Sequence, residues 1–184
     1  MNQLIKDKNF LLSNLNYFLI IILPITILAG SLVSNITIIL ISIFFILDLV
    51  QRKNNFILKD INFYFLLLIY FYLVFNSFFI SENSHAPLKG LAFIRFILLS
   101  YAIFFYSKIF DYSFLKYWAI IFLIVSFDIV FEFFLGFNTI GYESIYIGRI
   151  ASFTGDELKI GGFYFGFIFL SLAFFSKKKY LSLC

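Results

Sequence analysis

A run of residues without a charged side chain extends from Asn9 to Leu47, and it constrains the fold of this chain more than any other feature. A membrane-spanning helix needs about 20 apolar residues, so the run can hold two such helices and is too long for the apolar core of a signal peptide. The turn-forming segment "LAGSLVSN" at 28–35 divides it. We therefore predict helices at 13–30 and 33–50.

Four further apolar segments are long enough to span a membrane, and none shows the alternation typical of β-barrel strands. The chain is 62% hydrophobic and 13% charged, against about 25% charged residues in soluble domains. We expect an all-α, polytopic transmembrane helical bundle of about six helices, which forms one transmembrane domain over 1–184. Pro24 falls inside the first helix, where it predicts a kink. The other four spans are predicted at 61–80, 88–107, 115–136 and 160–175.

The distribution of basic residues predicts the orientation. Lysines and arginines concentrate on cytoplasmic loops, so the side with more of them is inside. One side of the predicted topology holds Lys6, Lys8, Arg52, Lys53, Lys59, Lys108, Lys116, Lys177, Lys178 and Lys179, and the other side holds Lys89, Arg149 and Lys159. The N-terminus is therefore predicted to be cytoplasmic, and the long loop 137–159 to face outward. Short basic clusters between apolar runs indicate membrane topology and exclude nucleic acid as a partner.

Cysteine and histidine are too scarce to build a metal centre. The chain has one cysteine, Cys184, and one histidine, His85. A disulfide framework within the chain and a site of several Cys or His ligands are thereby excluded. We expect neither a metal nor a cofactor.

Three ionisable residues fall inside predicted spans, where each is a functional hypothesis because charge is costly in a bilayer. They are Arg95 in the fourth span and Asp128 and Glu132 in the fifth, all in the outer half of the membrane by helix rise. Asp128 and Glu132 lie four residues apart, on one helix face. They form either an ion pair with Arg95 that docks two helices, or the polar floor of an outward-facing site. Asp48, near the inner end of its helix, is assigned no special role.

The outer loop ends in "GRIASFTGDELKIGG" at 148–162, which concentrates charge just before the sixth span. Arg149 either contacts lipid headgroups or binds an anionic substrate. Thr154 is predicted to be the N-cap of the next helix, with Asp156 and Glu157 in its first turn, where carboxylates favour the helix dipole.

The acidic helix, the aromatic segment "FEFFLGFNTIGY" at 131–142 and the loop "GRIASFTGDE" together resemble the O-antigen ligase and polymerase family. The family pattern is of the type GR-x-x-G-x-F-G-D-E before a helix with small residues. This chain keeps Gly148, Arg149, Gly155, Asp156 and Glu157. It has Ser152 where a glycine is common. The resemblance covers 128–162, about a fifth of the chain.

The resemblance implies a glycan polymerase or ligase that takes a polysaccharide from undecaprenyl pyrophosphate at the periplasmic face of the bacterial inner membrane. The expected partners are this lipid-linked glycan and membrane lipids, and the implied reaction is independent of metals. Arg149 and Arg95 would bind the pyrophosphate, with Asp128, Glu132, Asp156 and Glu157 as supporting polar residues. The catalytic residue is not assigned. Since family members carry a later large loop with a catalytic histidine, we expect this chain to be an N-terminal half and inactive alone.

Two other interpretations stay open. A transporter or flippase fragment would use Arg95 and the two carboxylates as a substrate or proton pathway. Inverted repeats or helices broken at the midplane would favour that interpretation, and the sequence shows neither. A non-enzymatic integral membrane protein would leave Arg149 and the "TGDE" turn without a role.

Overall fold

The computed structural model describes residues 2–53, 56–143, 150–157 and 160–163. Within these ranges the chain is helical and contains no β-strand. The elements are α1 (Asn2–Leu28), α2 (Ser31–Arg52), α3 (Phe56–Lys59), α4 (Ile61–Phe79), α5 (Ala86–Ala92), α6 (Ile94–Ile109), α7 (Phe114–Leu135) and the 3-10 helix η1 (Ser152–Glu157).

Five helical segments of the described chain are long and apolar enough to cross a membrane, and they confirm the prediction of an all-α transmembrane fold. Each coincides with one of the first five predicted spans. The sixth predicted span, 160–175, is helical at 160–163 and otherwise lies outside the described residues. The five segments are Leu11–Leu28, Ser31–Arg52, Ile61–Phe79, Ala86–Ile109 and Phe114–Leu135.

The helix boundaries follow local backbone chemistry. Gly30 separates α1 from α2 with a φ of 123°, a conformation that L side chains rarely adopt. The fourth predicted span is interrupted at Phe93. There the Phe93 N–H donates to the Gly90 carbonyl oxygen at 3.2 Å, and the Phe96 N–H donates to the Phe93 carbonyl oxygen at 3.0 Å. These tighter bonds divide one span into α5 and α6.

Pro24 lies within α1, which continues through it to Leu28. Proline has no N–H, so the carbonyl oxygen of Ile20 loses its donor within the helix. The indole N–H of Trp118 on α7 donates to that oxygen at 2.9 Å, and both Ile20 and Trp118 are buried. The proline thus exposes a backbone acceptor, and a side chain from another span satisfies it.

The chain divides into two compact units. The first unit comprises Met1–Asn16 and Ile38–Ile109, and the second comprises Tyr17–Thr37 and Phe110–Cys184. Both α1 and α2 contribute residues to each unit.

Aliphatic and aromatic side chains of α2 and α6 form the core of the first unit. The Phe45 ring packs against the rings of Phe105 and Tyr106, with centroids 5.7 and 6.1 Å apart. In contrast, α4 has no buried residue. It packs on α5, where the buried Gly90 leaves no room for a Cβ atom beside the Ser77 hydroxyl.

The second unit has its core between α1 and α7, extended by the loop after α7. The Phe114 ring meets the Trp118 ring edge-on at 4.9 Å. The Tyr17 ring stacks on Phe110 at 4.1 Å, and the Tyr17 hydroxyl is hydrogen bonded to that of Ser113. Buried residues of this unit include Ile20, Leu23, Leu115, Ala119, Val125, Ala151 and Phe163.

Candidate functional site

The chain leaves α7 through a turn built from glycine and asparagine. Gly136 caps the helix with a φ of 81°, and its N–H donates to the Glu132 carbonyl oxygen at 2.8 Å. The Asn138 Oδ1 then accepts the N–H groups of Ile140 and Tyr142 at 3.1 and 2.8 Å. Asparagine favours such turns because its short side chain bonds the backbone two to four residues on.

Asp128 is fully buried on α7 and accepts three hydrogen bonds. Its Oδ1 accepts the N–H of Thr139 at 2.8 Å and the Thr139 hydroxyl at 2.6 Å. Its Oδ2 accepts the Ser152 hydroxyl at 2.5 Å. The carboxylate therefore joins the turn after α7 to the start of η1.

Glu132, one helical turn further along, binds the backbone of the same loop. Its Oε1 accepts the N–H of Ala151 at 3.1 Å, and its Oε2 accepts the N–H of Ser152 at 2.5 Å. The Asn138 Nδ2 donates to the Ser152 carbonyl oxygen at 3.0 Å. Both polar groups of the Ser152 backbone are thus satisfied in a region that excludes water.

These contacts give the two carboxylates a role that neither sequence interpretation included. Buried charge needs strong compensation, and hydrogen bonds to an ionised acceptor are about twice as strong as neutral ones. Asp128 and Glu132 obtain five such bonds from backbone N–H groups and hydroxyls. We conclude that the pair shapes the loop that begins η1.

The predicted N-cap at Thr154 is wrong. Thr154 lies inside η1, and both its hydroxyl and its N–H donate to the Ala151 carbonyl oxygen, at 2.6 and 3.1 Å. The loop forms a 3-10 turn here, and Ser152 at its start has a left-handed conformation, with a φ of 49°. Asp156 and Glu157 follow on the same turn, and their side chains lie outside the described part of the structure.

An apolar pocket of about 350 Å³ lies beside this loop in the second unit. Phe153 of η1 forms one wall, and no polar side chain lines the pocket. Such a pocket fits hydrocarbon and cannot solvate a charged group. The other lining residues come from the end of α1 and from α7: Ile25, Leu28, Ala29, Ile121, Ile124 and Val125.

Of the two arginines predicted to bind pyrophosphate, the structure describes one. Arg149 lies outside the described residues. Arg95 lies in the first turn of α6, in the first unit, and its guanidinium carbon is 5.0 Å from the centroid of the Phe96 ring. The buried Nε–H of Arg95 has no hydrogen-bond acceptor among the described residues.

Asp48, to which the sequence assigns no special role, is the centre of a hydrogen-bond network. Asp48 is fully buried in the first unit, and its Oδ1 accepts the Nε–H of Arg52 at 2.8 Å. Its Oδ2 accepts the hydroxyls of Ser13 and Tyr106 at 2.9 and 2.8 Å. The Arg52 Nη2 also donates to the Ser13 hydroxyl at 2.7 Å. The sequence carried one signal for this role, which is the spacing of four residues that places Asp48 and Arg52 on one helix face.

The Asp48 network continues to Asn16, which is also fully buried. The Asn16 Nδ2 donates to the Tyr106 hydroxyl at 3.0 Å. Its Oδ1 has no hydrogen-bond donor in the described structure. This network joins α1, α2 and α6. No regular spacing in the sequence relates its residues on different helices.

Comparisons with known family models, with curated proteins and with solved structures found no match. Five helical segments of the described chain are long and apolar enough to cross a membrane, and they identify the chain as an integral membrane protein.

Proposed function

We propose that this chain is part of a lipid-linked glycan polymerase or ligase of the O-antigen type, acting at the periplasmic face of the bacterial inner membrane. The conformation of Ser152 is the observation that carries this proposal. Ser152 stands where the family pattern commonly has a glycine, and its φ of 49° lies in the left-handed region that favours glycine.

The second support is the contact between the two parts of the resemblance. The acidic helix and the motif loop are separated in sequence, and Asp128 and Glu132 of α7 bind Ala151 and Ser152 of that loop directly. Such contacts are expected where the two parts of a motif act together. The carboxylates act as positioning residues, which hold the loop that carries Arg149.

The proposed chemistry places positive charge where negative charge develops. When the bond between the glycan and undecaprenyl pyrophosphate breaks, its electron pair stays on the pyrophosphate, which gains negative charge. A guanidinium offers a planar pair of N–H donors that matches a phosphate, so Arg149 would stabilise the leaving group. The apolar pocket beside Phe153 is compatible with the hydrocarbon part of such a substrate.

Binding of the lipid headgroup tests the proposal without requiring turnover. We expect the purified chain to bind undecaprenyl pyrophosphate more tightly than undecaprenyl phosphate. Arg149→Gln is expected to weaken binding of the pyrophosphate about tenfold or more, because a hydrogen bond to a charged group contributes about 1.5–3 kcal/mol. Arg149→Lys keeps the charge and loses the planar fork. Its affinity for the pyrophosphate is expected to lie between those of the wild-type chain and Arg149→Gln.

Lys89→Gln is the matched control, since it removes one positive charge from α5 and is expected to leave binding unchanged. Wild-type affinity in Arg149→Gln, or equal affinity for the two lipids in the wild-type chain, would contradict the proposal.

A transporter is the second candidate, and the Asp48 network is the observation that favours it. Ionisable groups buried within membrane spans commonly mark proton or substrate pathways. On this alternative, Asp48→Asn abolishes movement of the lipid-linked substrate across proteoliposome membranes and leaves pyrophosphate binding intact. Absence of any flux in the wild-type chain would exclude it.

A further inference from the structure

Basic side chains gather at one end of the first unit, at the end that the positive-inside rule assigns to the cytoplasm. Arg52 ends α2, with its guanidinium carbon 5.9 Å from the Phe105 ring centroid, and Lys53 follows it. The Lys108 Nζ, near the end of α6, lies 4.1 Å from the Phe104 ring centroid.

Lys59 joins this group through the start of α4. It ends α3 and directly precedes Asp60, the N-cap residue of α4. The Tyr101 hydroxyl of α6 donates to the Asp60 Oδ2 at 3.0 Å. The pKa of Asp60 is lowered mainly by the hydrogen bonds from the Asn62 backbone and from Tyr101, and to a smaller extent by the charge of Lys108. Helices α2, α4 and α6 therefore bring these cations to one end of the unit.

Among the described side chains of the first unit, the two carboxylates at this end already have partners. Asp48 is paired with Arg52 and is fully buried. Asp60 accepts hydrogen bonds from the backbone and side-chain N–H groups of Asn62 as well as from Tyr101. Lys53, Lys59 and Lys108 are exposed and have no ion-pair partner within 4 Å among the described residues.

Large apolar side chains stand beside these lysines, also exposed. Leu58 is 58% exposed and Ile61 is 68% exposed, next to Lys59 and Asp60 in sequence. Phe104 is 45% exposed beneath the Lys108 ammonium group. A surface that is apolar toward the span and cationic at its end matches the boundary between acyl chains and headgroups.

We propose that Lys53, Lys59 and Lys108 form a binding surface for the headgroups of anionic phospholipids. The three ammonium groups attract the phosphate and its net negative charge, and the neighbouring apolar side chains contact the acyl chains. A zwitterionic phospholipid has the same acyl chains and no net charge, so the surface discriminates by charge. This inference is independent of the proposed glycan chemistry, because it concerns the first unit and the opposite face of the membrane.

The test uses the full chain in vesicles that mix phosphatidylcholine and phosphatidylglycerol. The chain is extracted with its bound lipid in polymer nanodiscs, and the two phospholipids are quantified by mass spectrometry. A lysine near the surface contributes about fivefold in preference for an anionic lipid. We therefore expect clear enrichment of phosphatidylglycerol around the wild-type chain and at least fivefold less around K53Q/K59Q/K108Q.

Two variants control for charge and for position. K53R/K59R/K108R keeps the charges and is expected to retain the enrichment, and K89Q removes a charge from α5 and is also expected to retain it. Enrichment should fall as NaCl is raised to 0.5 M, because salt screens exposed charges. If the triple glutamine variant retains the wild-type enrichment, or if K89Q loses it, the proposal is overturned.

The substituted lysines are exposed, so the variants are expected to fold. Melting temperatures of all variants in detergent check this. If K53Q/K59Q/K108Q does not fold, the three single glutamine variants replace it, and the proposal then requires each to lower the enrichment.

Discussion

At the residue scale, buried aspartates in this protein are compensated in two different ways. Asp48 is neutralised by Arg52 and by two hydroxyls. Asp128 is compensated by one backbone N–H and two hydroxyls, with no charged donor among its described contacts. The first arrangement joins three helices, and the second holds a loop.

The left-handed conformation of Ser152 leads to an unusual order of stability among its variants. Ser152→Ala loses the hydrogen bond to Asp128, which contributes about 1.5–3 kcal/mol, and keeps a Cβ atom in a strained conformation. Ser152→Gly loses the same bond and relieves a strain of about 1 kcal/mol. We therefore expect Ala to be more destabilising than Gly, by about 1 kcal/mol, in unfolding titrations with SDS in mixed micelles.

Ser100 provides the comparison for this prediction. It lies on α6, it is exposed, and its hydroxyl donates to the Phe96 carbonyl oxygen within the helix. There the usual helix preference applies, so Gly is expected to be more destabilising than Ala by about 1 kcal/mol. The same order of Ala and Gly at both positions would show that Ser152 is not strained.

Individual contacts of the loop could not be predicted from sequence. Asp128 and Glu132 were recognised because their spacing places them on one helix face. No spacing rule relates Glu132 to Ala151, because the contact depends on how the turn at Gly136 and Asn138 directs the chain. The left-handed φ of Ser152 could not be predicted from the sequence either, because a serine rarely adopts it.

At the scale of elements, Pro24 and Trp118 form a matched pair. Proline leaves the Ile20 carbonyl oxygen without its helical donor, and the indole N–H replaces that donor. Trp118→Phe is expected to destabilise the fold by about 1–3 kcal/mol, since it leaves a buried acceptor unsatisfied.

In Pro24→Ala the backbone N–H of residue 24 can again bond Ile20. Trp118→Phe should then cost about 1 kcal/mol less than it does in the wild-type background. A double-mutant cycle of unfolding free energies measures this difference and cancels the change in ring packing. A coupling energy of zero would contradict the proposed relation between the proline and the tryptophan.

The start of α4 depends on the ionisation of Asp60. Its pKa is lowered below the ordinary value of 3.8, first by the hydrogen bond from the Asn62 backbone and then by that from the Tyr101 hydroxyl. A carboxyl whose pKa is lower in the folded state stabilises the fold at pH above its unfolded value. This contribution is lost as the pH falls through the folded value.

Asp60→Asn keeps a capping side chain and removes the charge, so its difference from wild type isolates the ionised form. The gap in melting temperature between the two proteins is expected to be constant from pH 7 to 5 and to shrink as the pH falls below about 3.8. Melting in detergent over pH 7 to 3 measures it. A gap that does not change with pH would show that the charge of Asp60 does not stabilise α4.

At the scale of the whole molecule, the sequence predicted the number and placement of the first five spans because lipid imposes one simple rule. Each span needs a long uncharged run, and every backbone polar group must be paired inside it. The break at Phe93 escaped prediction since no proline or glycine stands at residues 92–94, where the helix is divided. The Asp48 network escaped because it depends on how three helices pack.

The two polar networks give the proposed function its clearest test, because they belong to different units and only one of them is proposed to hold the substrate-binding loop. In the proposed function, the pyrophosphate binds at the loop that Asp128 and Glu132 hold. The alternative of a transporter places substrate chemistry at Asp48.

The most direct measurement is photo-crosslinking with a polyprenyl pyrophosphate that carries its photoreactive group next to the headgroup, followed by peptide mapping of the full chain in vesicles. We expect labelling within 148–157 that undecaprenyl pyrophosphate suppresses and that Arg149→Gln reduces. Labelling concentrated around Asp48 and Tyr106, or labelling of 148–157 that the competitor leaves unchanged, would contradict the proposed function.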